Sequence, residues 1–291
     1  MHAYLLHNGS IRDINEPLLS PGQVGYMNGW GVFSTLRVAE GVLFAFERHY
    51  QRMRRDAEVL RVPFEMTPDE LEDQLLKLVE ANRAFDATLR VAVIRNKGNL
   101  FESPGITRAA DVVAFTTDLN NWGSGVKLGY LPNARFSANP FAGTKVTSWV
   151  ENLARYEIAH EKGLDEFILL NELGQVSECT SANIFMVRDD QVWTPPLVTS
   201  GCLPGVTRAI LLEEIREPGL RISERDLTPS ILEEGDQVFI TSSTRDLIPV
   251  LEINGLRLRQ DEGVMRRIQQ AFVENRRKYI AAKASRKSLA V

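Results

Sequence analysis

The alternation of apolar and polar positions opens with two hairpins. Apolar AYLL is followed by Asn8-Gly9, two residues that accept the positive φ of a tight turn, and then by SIRDI. A second pair of runs, VFSTLRV and VLFAF, meets through Glu40-Gly41, and the period of two puts Phe33, Thr35 and Arg37 on one strand face. The spacing then changes to a helical one over residues 48–61, with Tyr50, Met53, Ala57 and Leu60 as one stripe and Arg52 off it. An arginine off the stripe ordinarily faces water. Thr67-Pro68-Asp69-Glu70 is a capping box with proline at the first helical position, so a helix starts there and runs through Leu71, Leu75, Leu78 and Val79. The strands TLRVAVIR and DVVAFTT follow and bring Arg90 and Arg95. The polar, glycine-containing stretch 96–110 between them predicts a flexible loop near a pocket mouth.

The pattern breaks at residues 118–125, DLNNWGSG, where Asn, Gly and Ser interrupt the strands on both sides. This predicts an N-terminal domain over 1–117, a linker, and a C-terminal domain over 126–291. The second domain opens with VKLGYL. Lys145 then follows an irregular glycine-containing segment and precedes a helical pattern at Trp149, Leu153 and Tyr156, which places it at a loop-to-helix junction. FILL, QVSE, NIFMV and QVWT read as strands. Leu203-Pro204-Gly205-Val206-Thr207-Arg208 stands before an apolar helix through Ile210, Leu211 and Ile215, and is either a plain helix cap or a start whose free N–H groups suit a phosphate. VFIT leads into Ser242-Ser243-Thr244, hydroxyl residues that commonly form a turn. The last helix is expected over 261–282, with Val264, Ile268, Ala271, Phe272 and Tyr279 on its apolar face and a basic, solvated or disordered tail beyond.

Length turns this pattern into a mixed α and β chain of two ordinary domains, since 291 residues exceed one small core. A formal charge of −4 argues against nucleic acid as a partner. Cys179 and Cys202 are the two cysteines, without CxxC or His/Cys spacing, so neither a disulfide framework nor a metal site is supported. No apolar run approaches a membrane span and the N-terminus lacks a signal pattern, which makes a cytoplasmic protein the default.

Candidate chemistry centres on Lys145 and Glu178. Either alone is ordinarily a surface charge. With their flanking text, however, GVFSTLRV, ERHYQRM, GTKVTSWVENLA, VSECTSANIF, LPGVTR and TSSTRDLIPV stand in an order, spanning almost the whole chain, that resembles the class IV aminotransferases. This is the fold-type IV family of pyridoxal 5'-phosphate (PLP) enzymes. The resemblance implies an α+β fold with a small N-terminal α/β domain and a larger C-terminal domain built on a barrel-like sheet. It implies that Lys145 carries the cofactor, Glu178 faces its pyridine nitrogen and Arg52, in the pattern His49 through Arg52, reaches its phosphate. By the same resemblance Val206, Thr207 and Ser243 contact the cofactor and Leu203 lies against the ring. Phe33, Thr35, Arg37, Arg90 and Thr244 fall to the substrate. The residue types suit the chemistry, because a lysine amine condenses with an aldehyde and an adjacent carboxylate favours a protonated ring nitrogen.

Two stretches depart from the branched-chain members. Ser34-Thr35-Leu36-Arg37 replaces their Glu-Gly-Ile-Arg, and Val150 stands where many bacterial ones have tyrosine. A threonine at position 35 is similar to aminodeoxychorismate lyase-like members. The expected activity is therefore amino transfer between an amino acid, branched-chain or similar, and a 2-oxo acid. The alternative is a lyase releasing pyruvate and 4-aminobenzoate. The resemblance also implies a homodimer or larger homo-oligomer.

Overall fold

The computed structural model describes residues 1–98, 102, 105–260 and 262–289. Residues 99–101, 103 and 104 of the loop expected at a pocket mouth lie outside the described residues, as does Asp261. The chain divides into two compact units: Met1–Asn120, Thr144–Trp149 and the chain from Lys278 on form one, and Asn121–Gly143 with Val150–Arg277 form the other. Among the described residues, no helix is long and apolar enough to cross a membrane.

The first unit holds β1 (Tyr4–His7), β2 (Ser10–Asp13), α1 (Val24–Asn28), β3 (Gly31–Ala39), β4 (Val42–Leu43), α2 (Phe46–Val59), α3 (Pro68–Asn82), β5 (Ala87–Arg95) and β6 (Ala110–Thr117). The six strands form one antiparallel sheet in the order β2-β1-β6-β5-β3-β4. The first hairpin turns as expected, with Asn8 at φ 49° and Gly9 at φ 82°. The second is shorter than its sequence predicts. β4 stops after Leu43 because the chain enters α2 at Phe46, and buried Phe44 and Phe46 give an apolar run that suits strand and helix alike.

Period two then sorts the two faces of the sheet. Leu36, Val38, Leu89, Val91, Val93 and Ala114 form a core with Met53 and Ala57 of α2 and with Leu71, Leu75, Leu78 and Val79 of α3. Phe33, Thr35, Arg37 and Arg90 alternate with these core residues on the opposite face, and Arg90 stands directly across from Thr35. Because β4 pairs only with Val38 and Ala39, the edge of β3 at its start is open. The segment 144–149 takes that edge. Val146 pairs antiparallel with Val32, the Phe33 N–H donates to the Lys145 carbonyl (3.0 Å), and the Thr147 N–H donates to the Gly31 carbonyl (2.9 Å).

The second unit holds β7 (Val126–Leu131), α4 (Val150–Glu161), β8 (Glu166–Leu170), β9 (Val176–Cys179), β10 (Asn183–Arg188), β11 (Gln191–Thr194), α5 (Leu197–Ser200), α6 (Val206–Glu213), β12 (Arg221–Glu224), α7 (Pro229–Glu233), β13 (Gln237–Ser242), β14 (Asp246–Ile253), β15 (Leu256–Arg257) and most of α8 (Glu262–Leu289). Its sheet runs β12-β11-β10-β13-β14-β7-β8-β9, with β15 on β14. β9 and β10 are joined by a tight turn, closed by the Cys179 N–H on the Ala182 carbonyl at 2.8 Å, although β13, β14, β7 and β8 stand between them in the sheet. The sheet must therefore curl, which is the barrel-like form expected. β8, β9 and β13 are buried almost end to end, as strands covered on both faces are.

Two expectations are corrected here. The helix after Lys145 starts only at Val150, and Val150 and Leu153 are 70% and 51% exposed; it is Ala159, further along α4, that enters a core with Phe167 and Leu169. The basic tail is helical through Leu289 and tied to the first unit: the Tyr279 hydroxyl donates to Glu47 (2.6 Å), and Lys283 pairs with Glu47 (2.7 Å) and Glu72 (2.8 Å).

Candidate active site

Lys145 is held by its backbone. Its N–H donates to Oδ2 of the buried Asp56 on α2 (3.0 Å), while its carbonyl accepts from Phe33. The side chain thus leaves from a strand edge rather than from the predicted helix junction. Its Nζ lies 4.6 Å from the Phe33 ring centroid and 5.8 Å from that of Trp149, and the two rings meet edge to face at 6.0 Å. The Arg90 guanidinium covers the same Phe33 ring at 3.8 Å, and burial lowers its pKa. Lys145, Phe33, Thr35 and Arg90 are therefore brought together. Arg37 is drawn the other way, with Nη2 3.6 Å from Asp86 and Nε donating to the Val38 carbonyl (3.2 Å).

Arg52 is buried, contrary to what its place off the apolar stripe suggested. His49, Arg52 and Asp56 form a polar line beside that stripe, spaced so that all three share a helix face. Arg52 Nη2 donates to Ser34 Oγ (2.8 Å), and Ser34 Oγ lies 2.8 Å from His49 Nδ1. Burial pushes the Arg52 guanidinium down to about 10, against the opposing pull of Asp56. Burial, with the charges of Arg52 and Lys145, holds His49 well below the usual histidine range.

In the second unit, Glu178 is a buried carboxylate on β9. Oε1 accepts from Arg135 Nε (3.2 Å) and Nη2 (3.1 Å), and Oε2 accepts from the Leu203 N–H (3.1 Å). The Leu203 carbonyl in turn accepts from Asn183 Nδ2 (2.9 Å) and the Gly205 N–H (2.8 Å). A side chain at Gly205 would put its Cβ 2.0 Å from Asn183 Oδ1, so this close approach requires glycine. Gly205 is also the N-cap of α6 and offers no side chain to the first-turn N–H groups, so those of Val206 and Thr207 point out uncapped. Arg208 anchors that turn from below, donating to the Pro195 carbonyl (2.7 Å) and to Glu224 (2.5 Å).

Burial and the charge of Glu178 push the Cys202 thiol up to about 11, leaving it neutral. Ser243 and Thr244 follow β13 in a turn closed by the Arg245 N–H on the Ser242 carbonyl (3.3 Å). The turn is fixed by the buried Arg245, which pairs with Glu166, donates to Ser181 Oγ (2.7 Å) and stacks on Trp122 at 3.8 Å.

Asp56, Ser34, Arg135 and Arg245 were not singled out from the sequence. Asp56 gave the one usable signal, an acid four residues after Arg52 on a helix face already carrying a histidine. Arg135 and Glu178 lie 43 positions apart, and no local pattern links them.

A lysine amine, a buried carboxylate, a buried guanidinium and an uncapped helix start are the groups that an aldehyde, a ring nitrogen and a phosphate call for, and this donor set fits PLP. The chain belongs to the class IV aminotransferase family: the family model described as Amino-transferase class IV matches residues 31–253. D-alanine aminotransferase of Bacillus licheniformis is 29% identical over 255 residues, covering 86% of this chain and 88% of that protein. Branched-chain-amino-acid aminotransferase of Salmonella typhimurium is 27% identical over 258 residues, covering 84% and 83%. The fold matches a solved structure of the Escherichia coli branched-chain amino acid aminotransferase with a TM-score of 0.86 at 24% identity, over 94% of both chains.

Proposed function

We propose that this protein moves an amino group between an amino acid, branched-chain or similar, and a 2-oxo acid, with Lys145 as the residue that carries PLP. The observation behind this reading is the Lys145 amine, displayed over Phe33 and Trp149 from a backbone fixed on both sides. When bound, PLP supplies an electrophilic carbonyl and an electron sink for charge at the substrate Cα. Lys145 moves the proton on and off that carbon. Glu178, kept in place by Arg135 and the Leu203 N–H, holds a proton at the ring nitrogen. Arg52, Ser243 and the N–H groups of Val206 and Thr207 hold the phosphate, and Leu203 packs on the ring. Phe33, Thr35, Arg90 and Thr244 meet the substrate, and Arg37 joins them only by leaving Asp86. Mixing the PLP-loaded protein with single L- and D-amino acids is expected to change the cofactor absorbance for at least one. No change across both series would remove amino transfer.

A second reading, release of pyruvate and 4-aminobenzoate from aminodeoxychorismate, is favoured by Thr35, whose strand face also carries the Phe33 ring beneath the Lys145 amine. Pyruvate formed without any 2-oxo acid would establish it in place of the first.

The reading includes a homodimer or larger assembly working in the cytoplasm. It is supported by the exposed apolar side chains Val150, Leu153 and Ile158 on α4 and by the two free, buried thiols Cys179 and Cys202. Sedimentation is expected to give at least twice the 32.7 kDa chain mass.

A further inference from the structure

Ser34 lies on the helix-facing side of β3 and is fully buried. Two groups stand within hydrogen-bonding distance of its hydroxyl, Arg52 Nη2 and His49 Nδ1, each at 2.8 Å. A guanidinium has no lone pair to offer, so Arg52 donates and Ser34 accepts. The serine hydroxyl has one proton of its own, and a buried hydroxyl gives that proton to an acceptor. His49 Nδ1 is the acceptor in reach. Both bonds therefore have a fixed direction, from Arg52 to Ser34 to His49, and His49 carries its ring proton on Nε2. Burial of the ring and the charges of Arg52 and Lys145 all oppose a second proton on His49, which keeps the ring neutral.

Arginine has five N–H donors in a rigid fork, and Ser34 takes one of them. The long side chain is pinned at its tip before any anion arrives, which removes part of the ordering cost of binding one.

We propose that Ser34 and His49 are positioning residues that preorganise Arg52 for the phosphate of the cofactor, an inference that rests on the assignment of Arg52 to that phosphate. Pyridoxal, which has the aldehyde and ring but no phosphate, separates this role from a general structural one. The dissociation constants of PLP and of pyridoxal are measured by absorbance on the apoprotein of wild type, Ser34→Ala, Ser34→Cys, Ser34→Thr and Arg52→Ala.

Ser34→Ala and Ser34→Cys are expected to weaken PLP by about tenfold, the share of one charge-assisted bond, and to leave pyridoxal within about twofold. Ser34→Thr, which keeps the hydroxyl, restores PLP affinity. Arg52→Ala weakens PLP at least as much, and adding Ser34→Ala to it has no further effect. Equal losses for both ligands in the serine variants, or none, overturn the inference while a PLP-selective Arg52→Ala leaves the phosphate assignment standing. An Arg52→Ala that treats the two ligands alike removes that assignment and the inference together. Should Ser34→Ala fail to fold, Ser34→Cys, nearly the same size but a poor acceptor, carries the comparison.

Discussion

The Lys145 backbone is tied down at its N–H and its carbonyl, so in the role proposed for it only the side chain would move. Both ties are main-chain groups that survive truncation of the side chain. Lys145→Ala is therefore expected to fold normally and to lose all turnover, and borohydride treatment of the loaded wild type should fix the cofactor to a peptide containing Lys145. Recovery on another lysine would contradict the assignment. Glu178→Gln keeps an oxygen for Arg135 or Leu203 but loses the charge that favours a protonated ring nitrogen. A fall in single-turnover rate of about two or more orders of magnitude with PLP still retained is expected, and near-wild-type rates would leave Glu178 a structural carboxylate. His49 gives a pH prediction. Its folded pKa is depressed below 6.5, so below that pH the unfolded chain binds a proton that the native state refuses. Its contribution is intact above 6.5 and is lost as pH falls toward the folded value, at no more than about 1.4 kcal/mol per pH unit. Urea unfolding should show this fall as pH drops below 6.5, and His49→Asn should flatten it. At this scale the sequence was least legible. Periodicity assigned Arg52 to water because a polar line beside an apolar stripe looks the same whether it meets solvent or, as here, Ser34 and the Lys145 segment.

The elements with local chemistry were the readable ones. Thr67 accepts from the Glu70 N–H (3.3 Å) while Glu70 accepts from the Thr67 N–H (2.8 Å), the reciprocal cap its sequence announced. Thr67→Ala is expected to lower the unfolding free energy by about 1 kcal/mol in urea titration without changing PLP retention. The Asn8-Gly9 turn was readable for the same reason, since both signals sit within a few residues. VLFAF was not, because two buried aromatics suit a strand or the start of α2 equally. α4 was misjudged for the opposite reason: Trp149, Leu153 and Tyr156 have helical spacing, but the helix starts only at Val150 and Leu153 is exposed, because nothing in that spacing states what lies opposite it.

On the scale of the whole molecule, the chain from Lys278 on joins a unit whose other parts end at Asn120 and Trp149, which no window of sequence reveals. Ending the chain after Arg277 removes Tyr279 and Lys283 from Glu47 and Glu72, together with the Tyr279 ring from Phe44. The first unit is expected to lose at least about 1.5 kcal/mol, visible as an earlier thermal transition, whereas an unchanged transition would make the tail dispensable. The brevity of β4 has a further consequence. A hairpin at a protein surface is normally free to lengthen over evolutionary time, but here growth of β4 along β3 would occupy the edge that seats Val146 and its neighbours. The hairpin and the Lys145 segment compete for one row of main-chain donors and acceptors. A lengthened hairpin is thus a built-in rival of that segment, and, with Lys145 in its proposed role, a variant carrying one should keep its β content by circular dichroism while losing covalent attachment of the cofactor.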